Sequence, residues 1–479
     1  MQATDNYLLI TFFIYLVFLI VIGAVAWHRT HSLSDYVLGG RKLGEWTAAL
    51  SAGASDMSGW LLLGLPGYAY LAGFEAIWIA VGLFFGSWIN WLLIAPRLRS
   101  YSELRDNALT LPELLEKHFE DNSHLLRVIS ALLIMLFFIL YTSSGLVAGS
   151  KLFESVFDLP YLWAVVAGTV AILIYTTIGG FLAVSWTDLF QGLLMALALI
   201  VVGKISYDVA GGWHIMVNTL EVVDPSLVRI INISETPALS LIALLSLLGW
   251  GLGYFGQPHI LARFMAIKSV AHIPGARRIA MTWTGFNLTA ALVIGFAGVV
   301  VLDTPLSGPD SEKVFIELVT LLFHPIPAGI CLAAILAAIM STADSQLLVA
   351  SSVFTEDLYQ LMLKKPASQG HLILINRLSV IVVSIIAFLL ALSQQQKVLD
   401  LVAYAWAGFG ATLGPVLILT LYWKRLTKNG ALAGLITGGI TVIAWHHLEG
   451  GWFDLYEIIP AFILAMIASI VVSLYVNRG

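Results

Sequence analysis

Gly53-Ala54-Ser55-Asp56-Met57-Ser58-Gly59-Trp60 sits in the middle of an apolar segment that covers residues 46–74. Two serines, an aspartate and two glycines stand where a membrane-crossing helix should be apolar. In hydrocarbon every backbone N–H and C=O needs a partner, so a helix breaks at such depth only where its backbone lines a cavity or meets an ion. A second stretch of this kind, Gly249-Trp250-Gly251-Leu252-Gly253-Tyr254-Phe255-Gly256-Gln257-Pro258, interrupts the segment 238–264. Glycine alone is weak ground, because membrane helices use it freely for close packing. The relative position of the two breaks says more.

The chain has 479 residues, 59% of them hydrophobic and 11% charged. Soluble domains carry about 25% charged residues, so this composition excludes a soluble enzyme and a disordered chain. A net charge of −5 gives no basic footprint for nucleic acid. The single cysteine, Cys331, excludes internal disulfides and thiolate metal sites. No CxxC, HExxH, GxSxG or phosphate-binding GxxxxGK[ST] occurs. Apolar runs bounded by charge and turn residues predict about thirteen spans: 7–27, 46–74, 76–95, 124–150, 160–178, 182–206, 238–264, 276–302, 325–360, 371–393, 398–422, 429–448 and 456–476. The breaks fall in the second and seventh. Each opens a set of five spans, and five is odd, so the sets run in opposite directions through the bilayer. The expectation is an all-α polytopic membrane protein with a 5+5 inverted repeat and its site at the broken helices near the midplane. Residues 46–206 and 238–422 are the repeats, 1–45 an extra N-terminal helix and 429–479 two extra C-terminal helices.

Orientation follows from the basic residues. No Lys or Arg precedes Tyr7, whereas Arg29, Arg41 and Lys42 follow the first span, so that span does not read as a cleavable signal. With the N-terminus outside and thirteen alternating spans, 19 of the 24 basic residues, Arg263 among them, fall inside. Only Lys151, Lys204, Arg229, Lys313 and Lys397 fall outside. This assignment leaves no basic side chain for the membrane centre. Two loops carry structure of their own. Thr110-Leu111-Pro112-Glu113 has the spacing of a capping box and opens a short amphipathic helix to Phe119. Ser311 to Phe323 has apolar residues at helical spacing, either a surface helix or a lid over an outward cavity.

Three acids fall at membrane depth: Asp56, Asp188 and Asp344. Such acids mark function by default. Each also has a plainer reading: Asp56 as a cap on the second half-helix, Asp188 as an interfacial N-cap, Asp344 as glue to a neighbouring helix. Ala338, Ser341, Thr342 and Ser345 share one stripe of the ninth span. Serine there most often bonds its own backbone. Two adjacent hydroxyls and a carbonyl facing an unwound helix nevertheless make a nest of hard oxygens suited to an alkali cation.

These stretches, with Tyr141-Thr142-Ser143-Ser144-Gly145 and Ser185-Trp186-Thr187-Asp188-Leu189-Phe190-Gln191-Gly192, are similar nearly end to end to those of the solute:sodium symporters. Within that family the chain most closely resembles the bacterial sodium/proline branch. The resemblance implies sodium as the coupling ion, held by the Ala54, Met57 and Ala338 carbonyls and the Ser341 and Thr342 hydroxyls. It matches Asp56 to an acid required for sodium. It implies an L-proline pocket of Ser58, Trp60, Tyr141, Trp250, Tyr254, Gln257 and Pro258. Some relatives hold a second sodium near positions matching Asp188, Ser341 and Ser345, and this chain departs from them at Asp344.

The residues themselves favour a compact, net-neutral solute. The breaks are aromatic and small, no counter-charge for an anion is expected at depth, and a zwitterion's carboxylate can sit against half-helix N–H groups. A sugar would need more hydroxyl partners than these positions offer. The expectation is a plasma-membrane importer working by alternating access, with no organic cofactor, no nucleic acid and no obligate protein partner. Another small neutral or zwitterionic solute, or a proton in place of sodium, stays open. A channel would need a filter loop, a receptor a signalling domain and an enzyme a nucleophile–base pair; none is read in the sequence.

Overall fold

The computed structural model describes residues 37–230, 237–363, 367–392 and 397–476, with short pieces at 10–15, 17–19 and 21–22; side chains at 174, 175, 177–180, 182 and 237–240 are not described. The expected span 7–27 is thus described only in part, and Arg29, Lys364, Lys365 and Arg478 lie outside the described residues. Regular structure among the described residues is helical, apart from an isolated bridge between Leu43 and Ile267.

The first interrupted segment begins with α1 (Glu45–Asp56), which stops at Met57, where φ −84° and ψ 84° leave the helical region. A π turn over Trp60–Gly64 leads into α2 (Leu65–Ala72). Next come α3 (Ile77–Ile89), α4 (Ala95–Leu104) and the short α5 (Leu111–Phe119). The expected capping box of α5 is formed: Glu113 N–H donates to Thr110 Oγ1 at 3.1 Å, and Leu109 N–H donates to Glu113 Oε2 at 2.7 Å. Two long helices, α6 (Leu125–Phe157) and α7 (Tyr161–Val209), are followed by α8 (Gly212–Val223).

The second interruption lies between α9 (Pro237–Gly249) and α10 (Pro258–Ala266). It is a 3-10 stretch over Trp250–Gly256, and the axis turns by 46° across it. Pro258 disfavours helical geometry in the residue before it, and Gln257 is accordingly extended, at φ −74° and ψ 106°. The chain continues through α11 (Ile273–Val301), α12 (Val314–Leu322), α13 (Pro325–Val353), α14 (Gln369–Ala391), α15 (Val398–Tyr422), α16 (Lys428–Trp445) and α17 (Ile458–Val476).

Among the described residues, 8 helices are long and apolar enough to cross a membrane, or 9 with the bent pair counted as one span. Thirteen spans are not resolved by this count, for two physical reasons. Of the first broken segment, α1 is too short to qualify alone and the second half runs on into the third segment as one stretch, Trp60–Leu104, while the second broken segment qualifies only as a bent pair. And α7 is one helix over Tyr161–Val209, across the turn expected between the fifth and sixth spans.

Burial ranks the helices. α13 is 83% buried over its apolar window, against 33% for α17, so α13 is the central post and α17 a peripheral one. Around it α1, α6, α7 and α14 supply the walls. The second break meets α3 backbone to backbone: a Cβ on Gly251 would collide with the Gly82 carbonyl, and one on Gly86 with Gly251. The segment 311–323 packs Val314, Phe315, Leu318 and Val319 into the bundle. Its preceding turn buries Glu312, which accepts the Val398 and Leu399 N–H groups, each at 3.0 Å, and pairs with Lys151. A carboxylate at the positive end of α15 is favourable. The segment is thus a packed surface helix pinned by Glu312, whose turn lies against Gly67 of α2.

Candidate functional site

The end of α1 faces the middle of α13. The α1 helix lacks the next-turn donors for its last carbonyls because the chain unwinds at Met57. α13 supplies them: Ser341 Oγ donates to the Ala54 carbonyl at 2.8 Å and Thr342 Oγ1 to the same carbonyl at 3.1 Å. Ser341 Oγ also lies 3.0 Å from the Ala338 carbonyl. Four hard oxygens from two helices therefore meet in a fully buried place. That donor set fits a small alkali cation, which takes lone pairs from carbonyl and hydroxyl alike and needs no soft ligand. Met57 is buried three residues past Ala54, where its carbonyl belongs to the unwound turn.

Beside this nest, Asp56 is buried and collects donors from three elements. Its carboxylate Oδ2 accepts the Tyr254 hydroxyl at 2.7 Å from the second break. Its main-chain carbonyl accepts Trp60 Nε1 at 2.9 Å and the Tyr141 hydroxyl of α6 at 3.4 Å. The capping reading fails here, because the turn after the break has no side-chain cap. Ser58 lies inside the break, its Oγ accepting the Trp60 N–H at 3.4 Å.

The other expected pocket residues separate from this group. Trp250 turns its ring to Tyr456, 5.6 Å between centroids, and its carbonyl accepts Trp406 Nε1 at 2.7 Å. Gln257 Nε2 donates to the Trp406 and Gly253 carbonyls at 3.2 and 3.1 Å. Pro258 lines a narrow cavity of about 20 Å³ with Val37, Leu111, Pro112, Met265 and Val349. Trp406 and Asn90 were missed in the sequence. The Trp406 ring stands edge-on to Tyr254 at 5.0 Å, and Asn90 Nδ2 donates to the Tyr254 carbonyl at 3.0 Å. Both lie in regular apolar spans far from the breaks in sequence, so no local signal singled them out.

The third cluster corrects the sequence reading. Arg263, placed above in the inside group near the end of the seventh span, is fully buried near the end of α10. Its guanidinium meets Asp188 Oδ2 at 3.2 Å and donates to Ser51 Oγ at 3.1 Å, Ser345 Oγ at 2.5 Å and the His259 carbonyl at 3.0 Å. Ser51 also donates to Asp188 at 2.6 Å. Asp188 is therefore a mid-helix ion-pair partner and not an interfacial cap. A basic side chain does stand at depth, but its charge is already matched. Asp344 is buried on α13, with Oδ1 3.4 Å from Ser345 Oγ.

The profile of the sodium:solute symporter family matches residues 36–438. The sodium/proline symporter of Salmonella typhimurium is 52% identical over 478 residues, covering 99% of this chain and 94% of that one. The high-affinity proline transporter PutP of Bacillus subtilis is 48% identical over 461 residues, with 95% of each chain covered. Among solved structures, a substrate-bound, outward-open Na+-coupled sialic acid symporter superposes with a TM-score of 0.82 at 20% identity, covering 98% of both chains. MhsT in complex with L-phenylalanine gives 0.53 at 16% identity, covering 89% of this chain and 97% of that one. These two likenesses carry the fold alone, a LeuT-like helical transporter. With the profile matched across most of its length and relatives this close, the chain is a multi-pass membrane transporter, not an enzyme, and it belongs to the sodium:solute symporter family.

Proposed function

We propose that this protein imports L-proline together with sodium across a bacterial plasma membrane by alternating access. The observation that carries the reading is the meeting of the Ser341 and Thr342 hydroxyls with the Ala54 carbonyl at a broken helix, one turn from the Asp56 cluster. In this reading Ala54, Met57, Ala338, Ser341 and Thr342 hold the sodium. Asp56 links the ion to the solute through Tyr254. Ser58, Trp60, Tyr141 and Tyr254 form the inner wall of the proline pocket. Trp250, Gln257 and Pro258 belong to its outer and inner margins, the first two held by Trp406.

Sodium draws α1 and α13 together and so shapes the wall that proline meets. At about 100 mV one inward sodium supplies roughly 2.3 kcal/mol, and a tenfold gradient adds roughly 1.4. One ion thus supports a few hundredfold accumulation, and no ATP site is required. A single sodium is the reading we adopt, because Asp188 and Ser345 are engaged by Arg263. The same pairing disfavours an anionic solute, since Arg263 has no charge to spare. Thirteen spans, the N-terminus outside, the C-terminus inside, and the repeats 46–206 and 238–422 complete the proposal.

Uptake of labelled proline into proteoliposomes, with and without an inward sodium gradient, tests it. Uptake driven equally by a proton gradient, or by another neutral solute with no response to proline, would favour the alternative reading.

A further inference from the structure

A second concavity lies on the outer flank of the bundle, away from both breaks. It measures about 390 Å³ and opens between α1, α7 and α11. Leu50, Leu193, Ala196, Ile200, Trp283 and Phe286 form its walls. Arg278 stands at the end that the proposed orientation sets inside, exposed and without an ion-pair partner among the described residues. Trp46, 63% exposed, flanks the same end. Arg277 stands next to Arg278 at the start of α11, and Glu45 sits on Gly275. From Arg278 to Phe286 the groove descends eight residues of α11, about 12 Å.

We propose that this groove binds one anionic phospholipid of the inner leaflet. Its phosphate rests on Arg278, the Trp46 indole lies at the level of the glycerol backbone, and an acyl chain fills the channel down to Phe286. The chemistry is complementary at both ends: an unpaired guanidinium at headgroup depth, and a concave apolar wall below it. Basic pockets between spans on the cytoplasmic side recognise acidic headgroups in this way, and aromatic rings prefer that interface.

The site also touches the ion machinery, a consequence that rests on the sodium assignment above. Trp283 forms the groove wall on one side, and its Nε1 donates to the Gly192 carbonyl at 3.1 Å. Its ring lies so close to Gly53 that a Cβ there would come within 2.7 Å. Gly53 immediately precedes Ala54. An acyl chain that braces the Trp283 ring therefore braces the turn whose carbonyl receives Ser341 and Thr342.

The test is native mass spectrometry of the full chain, purified in mild detergent with phosphatidylglycerol or phosphatidylcholine added. The wild type should retain phosphatidylglycerol in preference to phosphatidylcholine. Arg278→Gln should retain about fivefold less of it, the share of one basic side chain at an anionic surface. Ala196→Phe should cause a similar loss with the charge intact, and Lys424→Gln, at a basic residue outside the groove, should cause none. Equal retention of both lipids by the wild type, or unchanged retention in Arg278→Gln, would overturn the site. So would spontaneous crosslinking between copies carrying Phe286→Cys, which would make the groove an interface with a second copy. These readouts need no sodium or proline, so the lipid site and the transport reading fail separately. If the coupling holds, phosphatidylglycerol should raise sodium affinity in the wild type and not in Arg278→Gln.

Discussion

Replacing Asp188 by Asn leaves the Arg263 guanidinium with no exposure and no counter-ion. Three donors would stay satisfied by Ser51, Ser345 and the His259 carbonyl, so the loss is of charge compensation more than of hydrogen bonds. Breaking a buried pair in this manner costs about 3–5 kcal/mol, because the surviving charge stays desolvated. Arg263→Gln strands Asp188 and should cost a similar amount. The double variant Asp188→Asn/Arg263→Gln is neutral and keeps an amide on each side, although Gln is shorter than Arg. It should therefore be more stable than either single variant, with a coupling of roughly 3 kcal/mol or more. The assay is a thermal melt of the four purified proteins in one detergent, read by tryptophan fluorescence, with each single variant melting several degrees lower. Sodium titration of Arg263→Gln adds a second readout: a cavity vacated by the guanidinium admits a cation, and the Hill coefficient should rise above that of the wild type. Additivity of the two single effects within about 0.5 kcal/mol, or a fully stable Asp188→Asn, would refute the view that the two charges hold each other in place.

Ser341→Ala or Thr342→Ala should lower apparent sodium affinity at least tenfold, about 1.4 kcal/mol, with less change in proline binding at saturating sodium; unaltered sodium titrations in both would remove the ion from this place. Asp56→Asn should nearly abolish uptake, partly restored by high sodium, and Tyr254→Phe should weaken both ligands because its hydroxyl ends on the Asp56 carboxylate; a Tyr254→Phe variant altered in proline binding alone would break that link. Glu312→Gln unpairs Lys151 and weakens the tie to α15, so a cysteine placed in α2 should become more reactive to an outside thiol reagent than in the wild type; equal reactivity would mean that the segment is not pinned there. Asp121, in the loop before α6, is raised by burial but lowered further by Ser123, the Leu126 N–H and Lys428, to about 2. Its contribution is present above the ordinary carboxylate range and lost as pH falls through 2, so the melting difference between wild type and Asp121→Asn should stay flat from about pH 8 to 5 and close only below about pH 4.

Both breaks and the Ser341–Thr342 stripe could be read from sequence because their signal is local: polar and small residues at a depth where hydrocarbon forbids them. The same local logic failed for Arg263. Placing it in the inside group treated the end of the seventh span, 238–264, as interfacial, and the charge pattern held no sign that Asp188, 75 residues earlier, would receive it. Trp406 and Asn90 were invisible for the related reason that they act through backbone carbonyls of a distant segment. The aromatic pocket was legible in composition but not in partition, since Trp250 and Trp60 read alike in sequence and only packing sends one to Tyr456 and the other to Asp56.

The glycine crossing between α3 and the second break has a consequence for how this gene can vary. At Gly82, Gly86 and Gly251 the opposing surface is main chain, which has no rotamer to change and no side chain to shorten. A second-site suppressor therefore has nothing to act on, unlike at a core leucine, where a neighbour can shrink. Every single-nucleotide change from a glycine codon that alters the amino acid adds a Cβ. In a saturation library these three codons should accordingly fall to near-zero tolerance together, and stay there in any genetic background, while Gly44 and Gly370, which face open space, should accept alanine.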